Sequence, residues 1–143
     1  MFLGRYQFSL DSKARLTIPA KYRELLAPTL IVTRHPVENC LIALPMGEWF
    51  RWTAKVDGLS IVDTDAAHLR RILYGSAEDL HLDSQGRVLL TQRLRELAHI
   101  DSDVLIIAAG AYLEIWNPAD WLAIEGQLQD SEMRRRAFTA LGV

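Results

Sequence analysis

Cysteine is nearly absent from this 143-residue chain: a single one, Cys40, sits among apolar residues. One thiol closes no disulfide within the chain, so it reads as a small buried hydrophobe in a reducing cytoplasm. No apolar run approaches the roughly 18–20 residues that span a bilayer. The opening Met1-Phe2-Leu3-Gly4-Arg5-Tyr6-Gln7 lacks the basic-then-apolar build of a signal peptide. A cytoplasmic protein with no membrane contact is expected. Positive charge is not in excess either, since 16 Lys and Arg against 18 Asp and Glu leave a net charge of −2. The overall field therefore does not attract nucleic acid, and any such binding needs a local basic patch. His35, His68, His81 and His99 show no metal-ligand spacing with one another or with Cys40. There is no Gly-rich phosphate loop and no Gly-x-Ser-x-Gly. Neither an enzyme, a metal site nor a cofactor is expected.

What the chain does contain is one short text written twice. Leu10-Asp11-Ser12-Lys13-Ala14-Arg15-Leu16-Thr17-Ile18-Pro19-Ala20-Lys21-Tyr22-Arg23-Glu24-Leu25 returns, 72 residues later, as Leu82-Asp83-Ser84-Gln85-Gly86-Arg87-Val88-Leu89-Leu90-Thr91-Gln92-Arg93-Leu94-Arg95-Glu96-Leu97. Asp, Ser, the loop Arg, the Arg-Glu pair and the flanking leucines are identical, and apolar positions stay apolar. Two units of about 70 residues are each too small to bury much core alone, so they are expected to share one.

The elements follow the repeat. Tyr6 to Leu10 reads as a strand running into an Asp-Ser turn, and Arg15 to Ile18 as the return strand. Pro19 fits a first helical position ahead of a short helix to Leu26. Leu30–Thr33 and Cys40–Leu44 are strand-like, and Pro45 introduces a helix over 46–56. The second half repeats the order: strands at 77–82 and 87–90, a helix at 92–98, strands at 104–108 and 112–116, and a helix from Pro118 to about Gln129. Between the halves, 64–74 looks helical, capped by Asp63 or Thr64. The tail from Ser131 has helical composition and carries Arg134-Arg135-Arg136, read as a solvated face. Trp49 and Trp121 recur at equivalent positions, which reads as core or subunit-interface packing.

The repeated loop is the candidate site. Asp11 and Ser12, and Asp83 and Ser84, can turn the chain by accepting their own downstream N–H groups. Gly86 suits a left-handed turn residue, and by analogy Ala14 is expected at positive φ. Arg15 and Arg87 then open the return strands. A guanidinium there can donate to a phosphate or to the O6/N7 edge of guanine. A structural alternative is an ion pair with the Asp that starts the turn. Lys13, Lys21, Arg23, Arg93 and Arg95 add charge, so residues 10–25 hold four basic and two acidic side chains and residues 82–97 three and two. Arg23/Glu24 and Arg95/Glu96 also read as solvated helix faces.

Asp-Ser-Lys-x-Arg, an apolar alternation, Pro and a short Arg-containing helix, with Asp-Ser-x-Gly-Arg further on, resemble the MraZ family of bacterial transcriptional regulators. Met1-Phe2, Gly4 and Leu73-Tyr74-Gly75-Ser76-Ala77 extend the resemblance over nearly the whole chain. It implies an α+β, mainly β fold: two AbrB-like swapped-hairpin β-barrel half-domains with short helices, forming an intramolecular pseudo-dimer. The expected organisation is a first domain at 1–62, a connecting helix at 63–76, a second domain at 77–130 and a helical tail at 131–143. The resemblance further implies a sequence-specific, nucleoid-associated DNA-binding repressor of its own operon in the division and cell-wall gene cluster. Its partners would be double-stranded promoter DNA carrying short G-containing direct repeats, and further copies of itself in a ring. The family's loop arginines fall on Arg15 and Arg87. Its other motif residues fall on Asp11, Ser12, Lys13, Asp83, Ser84 and Gly86. The chain departs from the family pattern at Ala14, where Gly is favoured, and at Gln85, which replaces Lys. The alternative reading is a ring-forming protein-interaction module whose contact with DNA is incidental.

Overall fold

Each copy of the repeat sends a strand into the other copy's sheet. The computed structural model describes residues 1–142. In chain order it contains β1 (Arg5–Ser9), β2 (Arg15–Thr17), α1 (Arg23–Leu26), β3 (Thr29–Arg34), β4 (Leu41–Pro45), α2 (Met46–Asp57) and α3 (Thr64–Ser76). The second half adds β5 (Glu78–His81), β6 (Arg87–Leu89), α4 (Gln92–Leu97), β7 (Asp103–Ala108), β8 (Leu113–Trp116), α5 (Pro118–Leu128) and α6 (Ser131–Thr139). Six strands form one antiparallel sheet in the order β1-β7-β8-β4-β3-β5, and β2 pairs with β6 as a separate antiparallel ribbon. So β1 joins the hairpin of the second half, β5 joins that of the first, and the ribbon takes one strand from each.

This exchange follows from where the apolar residues lie. Leu16, Ile18, Tyr22 and Leu26 of the first copy and Val88, Leu90, Leu94 and Ala98 of the second fall in one buried cluster. Each pair is separated by 72 residues, so the core is pseudo-twofold. Fully burying a side chain of the Leu or Ile class is worth roughly 1.5–3 kcal/mol relative to leaving it in water. Neither half could keep these residues dry alone, and the swap joins the halves into an intramolecular pseudo-dimer.

Helix ends follow local chemistry. The Asp63 carboxylate accepts from the N–H groups of Asp65 and Ala66, and Thr91 and Asn117 cap α4 and α5 in the same manner. Pro118 is the first residue of α5. Pro19, expected at a first helical position, instead stands one residue earlier with an extended ψ of 134°, whereas Pro45 immediately precedes α2, as expected, with ψ of 151°. The helix expected over 20–26 is divided into a 3-10 turn at Ala20–Tyr22 and a single α turn at α1.

The helices cover the outer faces of the hairpins. Trp49 on α2 packs with Ile31, Ile42, Leu44 and Leu73 of α3, whereas Trp121 on α5 packs with Cys40, Trp116, Leu105 and Ile107. Both tryptophans are buried, so neither is free to stack on a base. Burial also pushes the Cys40 thiol well above its ordinary pKa. Among the described residues, no helix is long and apolar enough to cross a membrane.

Candidate nucleic-acid interface

The two repeated loops fold alike, bond for bond. Asp11 Oδ1 accepts from the backbone N–H groups of Lys13 and Arg15, both at 2.9 Å. Asp83 Oδ1 accepts from those of Gln85 and Arg87, again both at 2.9 Å. Behind them, Ala14 N–H donates to Asp11 O and Gly86 N–H to Asp83 O, each at 3.0 Å. The turn places Ala14 at φ 58° and Gly86 at φ 75°. Ala14 therefore adopts the left-handed conformation that Gly86 adopts, as the sequence comparison of the two loops anticipates. The loops are also stitched across the pseudo-twofold axis, by Ile18 N–H to Gly86 O and Leu90 N–H to Ala14 O, both at 2.9 Å.

The ribbon sorts its residues by alternation. Leu16 and Val88 face each other at its centre and are buried. Arg15 opposite Leu89, and Thr17 opposite Arg87, therefore lie on the other face. The two arginines sit diagonally across this face. Thr17 and Leu89 were not singled out from the sequence, although the same alternation marks them; Leu89 is half exposed.

Each arginine is anchored by the aspartate of its own turn. Arg15 Nε donates to Asp11 Oδ2 at 2.6 Å, and Arg87 Nε donates to Asp83 Oδ2 at 2.9 Å. The structural alternative for these side chains is thus present in the fold. It uses Nε, and the remaining side-chain exposures are 29% and 24%. The Nη groups of Arg15 and Arg87 donate no hydrogen bond within the described residues. Those groups are the fork that matches paired acceptors. An aspartate holding Nε fixes the fork's direction, and an Nη of Arg87 also comes within 3.8 Å of Asp11 Oδ2, beyond hydrogen-bond reach. Both aspartate carboxyls are held below their ordinary pKa, first by the backbone N–H of the repeat arginine and then by its guanidinium.

The other expected contacts divide. Lys13, Ser12 and Ser84 are exposed on the loops. The Lys21 ammonium lies 5.1 Å from the ring centroids of both Tyr6 and Tyr22. The ammonium beside the Tyr6 phenol holds the phenol's pKa below its ordinary value, and the neighbouring phenols raise that of the ammonium. Arg23 and Arg95 turn inward: their Nε atoms donate to Ile18 O at 3.1 Å and Leu90 O at 3.0 Å. The Arg23 side chain lies directly against Gly86, where a Cβ would collide with it. Arg93 donates to Glu78 Oε2 at 3.4 Å and to the carbonyl of Gly75. For Arg23 and Arg95 the sequence shows only an Arg-Glu pair on a short helix. Each holds a carbonyl five residues earlier in its own copy, and the contact of Arg23 with Gly86 of the opposite loop depends on the strand exchange. Among the described residues, no group of three or more His, Cys, Asp or Glu is arranged to hold a metal ion.

Comparison with known proteins matches this architecture. The family model of the MraZ protein, described as antitoxin-like, matches the chain twice, at residues 1–72 and 73–142. A transcriptional regulator MraZ of Syntrophomonas wolfei is 40% identical over 131 residues, 92% of this chain and 91% of that protein. Relatives of the same name from Thermomicrobium roseum and Marinomonas sp. are 39% and 40% identical, covering 86% and 91% of this chain and 86% and 87% of their own lengths.

Proposed function

The chain belongs to the MraZ family, and we propose that it is a transcriptional regulator that reads promoter DNA with the β2–β6 ribbon. One observation supports the reading: two loops of the same geometry present two aspartate-anchored arginines, whose Nη groups donate no hydrogen bond within the described residues, on the outward face of a two-stranded ribbon. The major groove admits such a ribbon, and an arginine fork donating to guanine O6 and N7 is the commonest specific contact there. Arg15 and Arg87 are the base-reading residues, suited to short G-containing direct repeats. Lys13 and Lys21 hold phosphates, aided by whatever donors Arg23 and Arg95 have left. Arg93, engaged through both terminal nitrogens, contributes charge rather than a contact. The regulator represses its own operon in the division and cell-wall cluster and works at the nucleoid as a ring of copies. A ring sets many loops along one DNA, which suits an operator built of repeats.

The test is a gel-shift of the full chain with the DNA just upstream of its own gene. Competition with scrambled DNA at rising salt gives the discriminating result. The reading predicts that scrambled DNA competes poorly and that log K falls linearly with log salt. Equal competition, or binding indifferent to salt, would overturn it.

A further inference from the structure

The outward face of the β2–β6 ribbon carries four side chains, and only two of them obey the repeat. Arg15 and Arg87 lie 72 residues apart and are identical. Thr17 and Leu89 lie the same 72 residues apart and differ. Leu89 is 53% exposed, whereas Arg15, Thr17 and Arg87 are each partly buried. Among the described residues, no other exposed large hydrophobic lies on a strand. A lone exposed leucine needs no explanation in general. This one stands directly opposite Arg15, with Cβ atoms at the roughly 4.5–5.5 Å of a facing antiparallel pair. It therefore sits beside a guanidinium whose Nη groups donate no hydrogen bond within the described residues.

The departures from twofold symmetry divide the ribbon into two unlike ends. β2 begins where the first loop finishes, and β6 finishes opposite that point, so Arg15, Leu89 and Lys13 stand at one end. Arg87, Thr17 and Gln85 stand at the other. Lys13 and Gln85 are both exposed on their loops. One end thus presents an arginine, an aliphatic side chain and a second cation. The other presents an arginine, a hydroxyl and an amide. The major groove offers one apolar feature, the C5-methyl group of thymine. Threonine can meet that methyl or exchange a hydrogen bond with a base edge. Leucine has only the apolar option. Against an amino group or a bare acceptor it displaces water and returns no hydrogen bond.

We propose that Leu89 selects a thymine methyl group in the base step beside the guanine that Arg15 reads, and that Thr17 leaves the equivalent step beside Arg87 almost unselected. This rests on the ribbon reading above and adds a specificity-determining residue to its two arginines. A strictly twofold reader matches a palindrome and has no direction on DNA. A reader with Leu89 at one end and Thr17 at the other has a direction. The site it prefers is therefore not palindromic, although the loops and arginines that bind it are related by the pseudo-twofold axis.

The test replaces single thymines by deoxyuridine in the duplex from just upstream of the chain's own gene. Deoxyuridine keeps the base pair and removes only the methyl group. Gel-shift titration of the wild-type full chain should reveal one position per site, next to a guanine, where the change weakens binding about fourfold, the worth of one buried methyl. Leu89→Thr should bind the thymine and uracil duplexes equally. Thr17→Leu should acquire a second methyl-dependent position at the other end of the site. A wild type indifferent to uracil at every position overturns the assignment, as does a Leu89→Thr variant that keeps the wild-type penalty. A Thr17→Leu variant with the wild-type pattern overturns the proposed direction. Each of these results is compatible with scrambled DNA competing poorly, so the ribbon reading survives them. Equal competition by scrambled DNA strikes that reading, and the assignment of Leu89 falls with it. Circular dichroism checks folding, and Leu89→Ala gives the same readout if Leu89→Thr unfolds.

Discussion

An Nη nitrogen of Arg87 lies 3.8 Å from Asp11 Oδ2, so the arginine of the second repeat touches the aspartate of the first. Asp11 therefore stands between two guanidiniums, Arg15 at 2.6 Å and Arg87 at 3.8 Å. The two loops are one electrostatic unit, and disturbing either aspartate is felt at the shared ribbon.

Acid should loosen this unit. Both carboxyls are held below the ordinary aspartate value of 3.8 in the folded chain. A depressed pKa contributes stability that is fully present above the unfolded value and is lost as pH falls through the folded one. Thermal melts stepped from pH 7 down to pH 3 should show a decline that steepens below 3.8. Asp11→Asn and Asp83→Asn should melt lower than wild type at pH 7 and show a shallower decline. A variant with the wild-type pH profile would mean that its aspartate is not linked to folding.

The two left-handed loop positions should respond in opposite ways. Gly86→Ala places a Cβ at φ 75° and against the Arg23 side chain. A cost of roughly 1–3 kcal/mol is expected from strain of this kind. Ala14→Gly relieves a similar φ without creating a clash. It should stay within about 1 kcal/mol of wild type, on the stabilising side, because the added freedom of the unfolded chain offsets part of the relief. Urea denaturation of both variants decides the matter. A clearly destabilised Ala14→Gly would show that the first loop gains something from its methyl group.

Arg23 and Arg95 should act as loop braces. Arg23→Ala and Arg95→Ala each remove a bond to a strand-end carbonyl, worth about 0.5–1.5 kcal/mol net. Lysine lacks Nε and should not restore the melting temperature. Full rescue by Arg23→Lys would show that charge alone matters at this position.

Lys13 is exposed and forms no side-chain bond within the described residues. Lys13→Ala should weaken specific and random DNA alike and reduce the slope of log K against log salt by about one unit. A selective loss on the specific sequence alone would move Lys13 from positioning to base reading.

Much of this was legible because the repeat is close. The Asp-Ser turn, the arginine on the return strand and the short helix after it fix the local loop in both copies. Even the positive φ of Ala14 follows from its alignment with Gly86. The strand exchange was not readable from alternation, because β1 and β5 carry the same inward pattern and either hairpin could accept either one. The swapped arrangement came instead from the family resemblance. The packing of Arg23 against Gly86 was hidden for the same reason, since the exchange alone brings them close, whereas the carbonyls that Arg23 and Arg95 meet lie five residues earlier in their own copies.

The most direct test of the account is a competition gel-shift with the folded double variant Arg15→Ala/Arg87→Ala against operator repeats and scrambled DNA. Losing a good bidentate base contact costs about 1–3 kcal/mol of discrimination per arginine. The account predicts that preference for the repeats collapses toward the scrambled level while residual salt-dependent binding persists through Lys13 and Lys21. If the double variant, shown folded by circular dichroism, prefers the repeats by the wild-type margin, the loop arginines only tie the turns and the ribbon does not read DNA.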